Sequence, residues 1–270
     1  MSGGETVIHP SAVVEDGAKL GQGVRIGPFC HVGPEAELGD CVELLSHVVV
    51  AGRTSVGART KIYPFASLGH APQDLKYRGE KSVLTVGADC MIREGVTMNP
   101  GTEGGGMITS VGDRCLFLSN SHVGHDCRVG SNVICSSSAL LAGHCSVADF
   151  AILSGGCAVH QFVRIGQHAF VSGLAGVVRD VIPYGMVIGA PAHLSGLNLV
   201  GLRRRDFSRE TIHDLRRAYR LLFAEEGTLK ERVEDVATEF AEHPVVHEIL
   251  DFIRDGGDRA FTLPKAEDRD

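Results

Sequence analysis

An apolar residue, nearly always aliphatic, returns at every sixth position along most of this 270-residue chain. One run goes from Ile8 through Val14, Leu20 and Ile26 to Leu68. A short run holds Val86, Ile92 and Met98. A third goes from Val111 through Phe117 and Val123 to Val177. None of these 26 positions is polar. A helix would repeat near 3.6 and a half-buried strand at 2.0. A period of six marks a parallel β-helix. Three hexads then make one triangular coil, and residues 18 apart stack on coils roughly 4.8 Å apart. Four places after each apolar residue comes a small one: Ala12, Ala18, Ala36 and Ala66, and six of the eight cysteines. Both places are expected to face inward. A lone coil cannot bury its face, so each leans on its neighbours.

Composition fits this pattern. Many of the 34 glycines directly follow the key apolar residue, as at Gly27, Gly39, Gly57 and Gly124. There a tight corner with positive φ is expected. Cys30, Cys90, Cys115, Cys127, Cys145 and Cys157 read as small buried hydrophobes. No C-x-x-C pair or zinc spacing is present. The net charge of −7 argues against nucleic acid as the main partner. No signal peptide is recognisable, and no apolar run reaches the ~18–20 residues that span a bilayer. A cytoplasmic protein without membrane insertion is expected.

The repeat covers residues 7–190, with interruptions at 69–85 and 99–110. Leu68 and Val86 are 18 apart, so the first interruption is expected to leave the register intact as an extruded loop. Such loops gather on the binding face of solenoids. Residues 191–263 read as a small helical domain. Ile212, Leu215, Tyr219 and Leu222 have helical spacing behind Ser208, Thr228 and Glu231 form a capping box, and Val246, Ile249, Leu250 and Ile253 follow Pro244. These helices are expected to cap the end of the solenoid, whose strand edges are otherwise open. The charged tail 264–270 reads as frayed. Arg203, Arg204, Arg205, Arg209, Arg216, Arg217 and Arg220 make a local basic surface suited to a phosphate or an acidic protein.

Of thirteen histidines, four cluster in sequence: His122, His125, His144 and His160. Stacking by 18 puts Gly143 and then Gln161 over His125, and His144 over Asp126. His125, His144 and Gln161 fall outside the two inward places, so they form an outward ridge. Three readings are open. A neutral imidazole can take a proton from a hydroxyl, with Asp126 fixing its tautomer and the Gly143 N–H placed for an oxyanion. Histidines of neighbouring subunits can bind zinc. Or the rings only hydrogen-bond across a subunit interface.

Several motifs carry a more specific likeness. Ser-His-Val-Gly-His-Asp-Cys (121–127), Leu-Ala-Gly-His-Cys-Ser-Val (141–147), Ala-Val-His-Gln-Phe (158–162) and Gln-Asp-Leu-Lys-Tyr (73–77) resemble the bacterial UDP-N-acetylglucosamine acyltransferases. So do residues 26–34 and 198–208. The likeness spans almost the whole chain. It implies a left-handed β-helix followed by a helical domain, assembled as a homotrimer with active sites between subunits. It implies transfer of a 3-hydroxyacyl chain from acyl carrier protein to the glucosamine 3-hydroxyl of UDP-N-acetylglucosamine, the first step of lipid A synthesis. By matched position, His125 is then the general base, Asp126 its orienting partner and Gly143 the oxyanion donor. Gln73, Asp74, Lys76, His122, His144 and Gln161 bind substrate, and His160, Asn198, Arg204 and Arg205 hold the nucleotide and diphosphate. Gly173, with Phe170, gauges the acyl chain, and an open Gly implies a longer one. No metal or organic cofactor is implied, because the thioester is already activated.

The chain departs from that family twice. Phe170 stands where methionine is expected, and Asn99-Pro100 stands where His-Arg precedes Gly-Thr. A sister N-acyltransferase would carry an extra N-terminal domain before a repeat that here starts near Ile8. An ice-binding solenoid would show a flat threonine ladder, and none is present.

Overall fold

The computed structural model describes residues 4–257 and 259–265. Short parallel strands wind into a left-handed prism with three faces, of eleven, nine and eight strands. The first face starts at Val7–Ile8, the second at Val13–Val14 and the third at Lys19–Leu20. Register follows the repeat: Ile8 pairs with Ile26, and Val14 with Val32. From Val24 onward the inward apolar and small places are almost fully buried, as at Val32 and Val123 (each 0 % exposed). Ile8, on the first coil, is 43 % exposed because no coil lies beneath it.

The corners correct one expectation. Glycines directly after the apolar residue, such as Gly27, Gly39, Gly57 and Gly124, do not have positive φ. Positive φ falls two places later, at Phe29, His47, Phe65, Asp126, His144 and Phe162. At Tyr63-Pro64-Phe65-Ala66 the Ala66 N–H donates to the Tyr63 carbonyl and Phe65 has φ of 65°, which is a type II turn. The early glycine is needed for a different reason, the close approach of the next coil. A Cβ on Gly27 would overlap the Leu45 carbonyl. Gly27→Ala is therefore expected to destabilise the protein by about 3 kcal/mol or more. A thermal melt indistinguishable from wild type would refute this account of the corner.

Register after the first loop also differs from expectation. Val86 does not stack on Leu68. It pairs with Val56 on the third face, while Leu68 pairs with Met98 on the second. The sequence separation of 18 arises because the chain advances one face and extrudes two hexads' worth of residues. Pairs that bridge the first loop are 30 apart, such as Ile62 and Ile92. Those that bridge the second are 25 apart, such as Ile92 and Phe117.

The solenoid does not give way directly to helices. Gly185–Ile188 is followed by an antiparallel strand, His193–Leu197, which closes the first face. Among the described residues four α-helices follow: α1 (Leu199–Arg204), α2 (Arg209–Leu222), α3 (Leu229–Glu239) and α4 (Pro244–Arg254). Ser208 caps α2, and the Thr228–Glu231 capping box opens α3. They sit on the last coils. Glu248 of α4 bonds Gln167 and Tyr184, and Arg164 donates to the Phe252 carbonyl. Fully buried Asp180 pairs with Arg164 (2.6 Å) and Arg259 (3.0 Å), tying the segment after α4 to the prism. The tail packs further than expected. Phe261, Thr262 and Pro264 are buried, and residues 266–270 lie outside the described residues.

Candidate active site

Both extruded loops leave the prism at one edge, where the chain passes from the second face to the third. The turns Gly124–Cys127, Gly143–Cys145 and Gln161–Val163 follow along that same edge. This placement follows from the repeat: a corner residue projects outward, and every third corner lies on one edge. The expected ridge is therefore a ridge with two loops beside it.

His125 donates from Nδ1 to Oδ2 of Asp126 at 2.8 Å. A carboxylate only accepts, so the proton sits on Nδ1 and Nε2 is left as an acceptor. The His125 side chain is 17 % exposed and that of Asp126 is not exposed at all. His144 Nδ1 lies 3.8 Å from the same Oδ2. Its ring stands edge-on to His125 (centroids 4.9 Å, 87°) and stacks on Phe162 (4.4 Å, 8°). Burial pushes His144 below the ordinary imidazole range, more than the nearby Asp126 raises it. Burial lowers His122 as well, and its Nδ1 bonds the Thr97 hydroxyl at 2.7 Å. Gly143 lies against His125: a Cβ there would sit 2.6 Å from Cε1 and Nε2 of the ring.

The second loop supplies residues that the sequence did not single out. Thr102 donates to Asp126 twice, from its backbone N–H to Oδ1 (2.8 Å) and from its hydroxyl to Oδ2 (2.6 Å). Thr109 accepts from the Asp126 N–H at 2.7 Å. A Cβ on Gly105 would overlap the Asp126 carboxylate. Nothing in a Gly-rich insertion tells which residue folds back onto which carboxylate.

His125, Asp126 and His144 are also a group whose ligand atoms lie within 4.8 Å of one another. Their geometry is that of a hydrogen-bond network. Both oxygens of Asp126 accept from N–H or O–H donors, and His125 Nδ1 carries the proton of its bond. The two imidazoles also come from one subunit, unlike the intersubunit set the zinc reading requires.

The other expected site residues fall into three groups. Gln73, Asp74 and Lys76 lie on the first loop, beside the same edge. The charges of Asp74 and Lys76 both act on His144. Asp74 Oδ1 accepts from the Lys76 N–H, and Asn99 ties the loops by donating to the His70 carbonyl at 3.1 Å. His160 and Gln161 are exposed at this edge, with His160 Nδ1 3.2 Å from the Gln161 carbonyl. Asn198, Arg204 and Arg205 are elsewhere. They line a cavity of about 760 Å³ on the first face with Ile134, Ile152 and Phe170. Asn198 caps α1, and Arg205 donates to the Phe150 carbonyl, its guanidinium over that ring. Gly173 is exposed in the turn between the first and second faces, three residues after Phe170. Within one protomer the first-face cavity lies opposite the edge that holds His125.

Known proteins resemble nearly the whole chain. Residues 180–262 match a family model described as UDP N-acetylglucosamine O-acyltransferase, domain 2, and residues 17–52 match the bacterial transferase hexapeptide repeat. An acyl-[acyl-carrier-protein]–UDP-N-acetylglucosamine O-acyltransferase of Methylobacterium radiotolerans is 69% identical over 258 residues, covering 96% of this chain and 95% of its own. That of Rhizobium etli is 55% identical over 257 residues, covering 95% and 94%. The crystal structure of UDP-N-acetylglucosamine O-acyltransferase from Moraxella catarrhalis superposes with a TM-score of 0.91 at 36% identity, over 96% of this chain and 99% of that one.

Proposed function

From a chain that belongs to the UDP-N-acetylglucosamine O-acyltransferase family, we infer transfer of a 3-hydroxyacyl chain from acyl carrier protein to the glucosamine 3-hydroxyl of UDP-N-acetylglucosamine, the opening reaction of lipid A synthesis, with His125 as general base. The observation that carries the base assignment is the 2.8 Å bond from His125 Nδ1 to buried Asp126. It leaves Nε2 free to take the proton of the acceptor hydroxyl as its oxygen attacks the thioester carbonyl. Negative charge then develops on the carbonyl oxygen, where the Gly143 N–H stabilises it. Collapse breaks the C–S bond, and the proton on the imidazole goes to the departing thiolate. The thioester supplies the activation, so the scheme uses no cofactor. His122 and His144, held neutral by burial, act with Asp74, Lys76, Gln73 and Gln161 as contacts for sugar and acyl group.

A homotrimer with sites between subunits supplies what one protomer lacks. The base lies on the edge between the second and third faces, whereas Asn198, Arg204 and Arg205 lie on the first face, which is opposite that edge in a triangular prism. One nucleotide sugar reaches both only if two prisms pack side by side. Arginine suits the diphosphate through its bidentate fork, and His160 would face that nucleotide from the edge. The basic surface at Arg203, Arg209 and Arg216 suits an acidic carrier protein. Among the described residues no helix is long and apolar enough to cross a membrane. We place the reaction in the cytoplasm, in keeping with eight cysteines that all stand as free thiols.

A mixing experiment tests both parts. His125→Ala and Arg204→Ala subunits, each inactive alone, are expected to regain partial acyl transfer after co-refolding, since some interfaces then hold both intact residues. Absence of recovery would place the whole site within one subunit. The acyl gauge is tested separately. Gly173 is exposed, and its Cβ position meets only the Gly155 carbonyl at 3.3 Å, so a side chain there projects outward without breaking the fold. Gly173→Met is expected to shift the preference among hydroxyacyl carrier proteins toward shorter chains. An unchanged profile would count against the gauge.

A further inference from the structure

Two imidazoles compete for one carboxylate at this edge. Asp126 Oδ2 lies 2.8 Å from His125 Nδ1 and 3.8 Å from His144 Nδ1. Both rings are partly buried, at 17 % and 19 % side-chain exposure, and they touch each other. Asp126 sits at a corner with φ of 60°, and its Oδ2 is turned toward both rings. An orienting carboxylate helps catalysis only if it settles on one partner, because a neutral imidazole needs one fixed tautomer to present a lone pair to the acceptor.

We propose that Thr102 makes that choice: by bonding both Asp126 oxygens it assigns the carboxylate to His125, withholds it from His144, and so selects which imidazole serves as base. Thr102 is a positioning residue in this scheme, because it acts through Asp126. The scheme rests on His125 being the base. Two bonds to two different oxygens fix the plane of the carboxylate, which one bond would not do. The loop is built for this contact. Gly105 and Met107 both donate to the Thr102 carbonyl, which closes the loop around that residue. Gly105 lies against the carboxylate with no room for a Cβ. Asp126 is thereby sealed from water, with donors on both of its oxygens.

Thr102→Val keeps the shape and the backbone N–H but removes the hydroxyl from Oδ2. It is expected to lower kcat about 10- to 100-fold, the range for a charge-assisted hydrogen bond, with KM changed less than about threefold. Thr102→Ser is expected to stay within about threefold of wild type. The decisive arm is a double-mutant cycle with His144→Leu, which removes the competing donor and suits a corner that Leu174 fills at φ of 60° in another coil. On that background Thr102→Val is expected to cost less than about threefold in kcat, because the carboxylate has no second ring to turn toward. Thr102→Ala is carried in parallel, so that loss of fold in one variant leaves the other as the test. Equal losses with and without His144 would overturn the proposal, as would a Ser variant as poor as Val. His125→Ala in the same assay separates the layers. An active His125→Ala enzyme would remove the base assignment beneath the proposal. An inactive one beside an unimpaired Thr102→Val enzyme would overturn the proposal alone.

Discussion

His125→Ala is expected to lower the rate of acyl transfer by about 100- to 10,000-fold, the range for removal of a general base, and to leave the solenoid folded. The two halves of this expectation come from different parts of one hexad. Val123 and Cys127 fill the core and are fully buried. His125 stands between them at the outward corner, where other coils carry Pro28, Pro64, Ser119 or Ser137. Such variety shows that the corner does not need an imidazole for folding. The ring is held by Asp126 on one side and by the absence of a side chain at Gly143 on the other. Its removal leaves Asp126 with both bonds from Thr102, so the carboxylate is not left unpaired. The variant should therefore melt close to wild type while transferring almost no acyl chain. Turnover near the wild-type value would mean that another group takes the proton, and His144 would then be the nearest candidate.

The hexad pattern made the inward face readable, because burial in a narrow prism admits little but small and aliphatic side chains. It also made the outward ridge readable, since any corner residue projects to solvent. The pairing of Asp126 with His125 follows from their adjacency, and that of Asp126 with His144 from stacking. What the pattern could not give was contact made by chain outside the repeat. Thr102, Gly105 and Asn99 lie in insertions that obey no period, yet they hold Asp126 and tie the loops together. The same limit explains the misplaced register at Val86. A loop that happens to consume whole hexads leaves a sequence count unchanged while moving the chain to another face. The turnback at His193–Leu197 was hidden for a simpler reason. It is a single antiparallel strand flanked by Pro191 and α1, too short to show a period of its own.

Gly143→Ala is expected to cost about 100-fold in rate, the scale set by displacing a catalytic group by about 1 Å, although the variant keeps the backbone N–H proposed as the oxyanion donor. The reason is steric. The new Cβ would lie 2.6 Å from Cε1 and Nε2 of His125, so the ring proposed as base must move from its place. The backbone itself accepts the change, because Gly143 is not in the left-handed region and the same corner position holds Pro, Asp or Ser in other coils. Overpacking of this kind costs about 1–3 kcal/mol of stability. That penalty should disappear when Gly143→Ala is made in the His125→Ala background, where no ring remains to be struck. A stability loss that persisted without the ring would trace the effect to the coil above instead. A Gly143→Ala enzyme with wild-type turnover would show that the imidazole is not held against this glycine during the reaction, and the proton path through Nε2 would have to be redrawn.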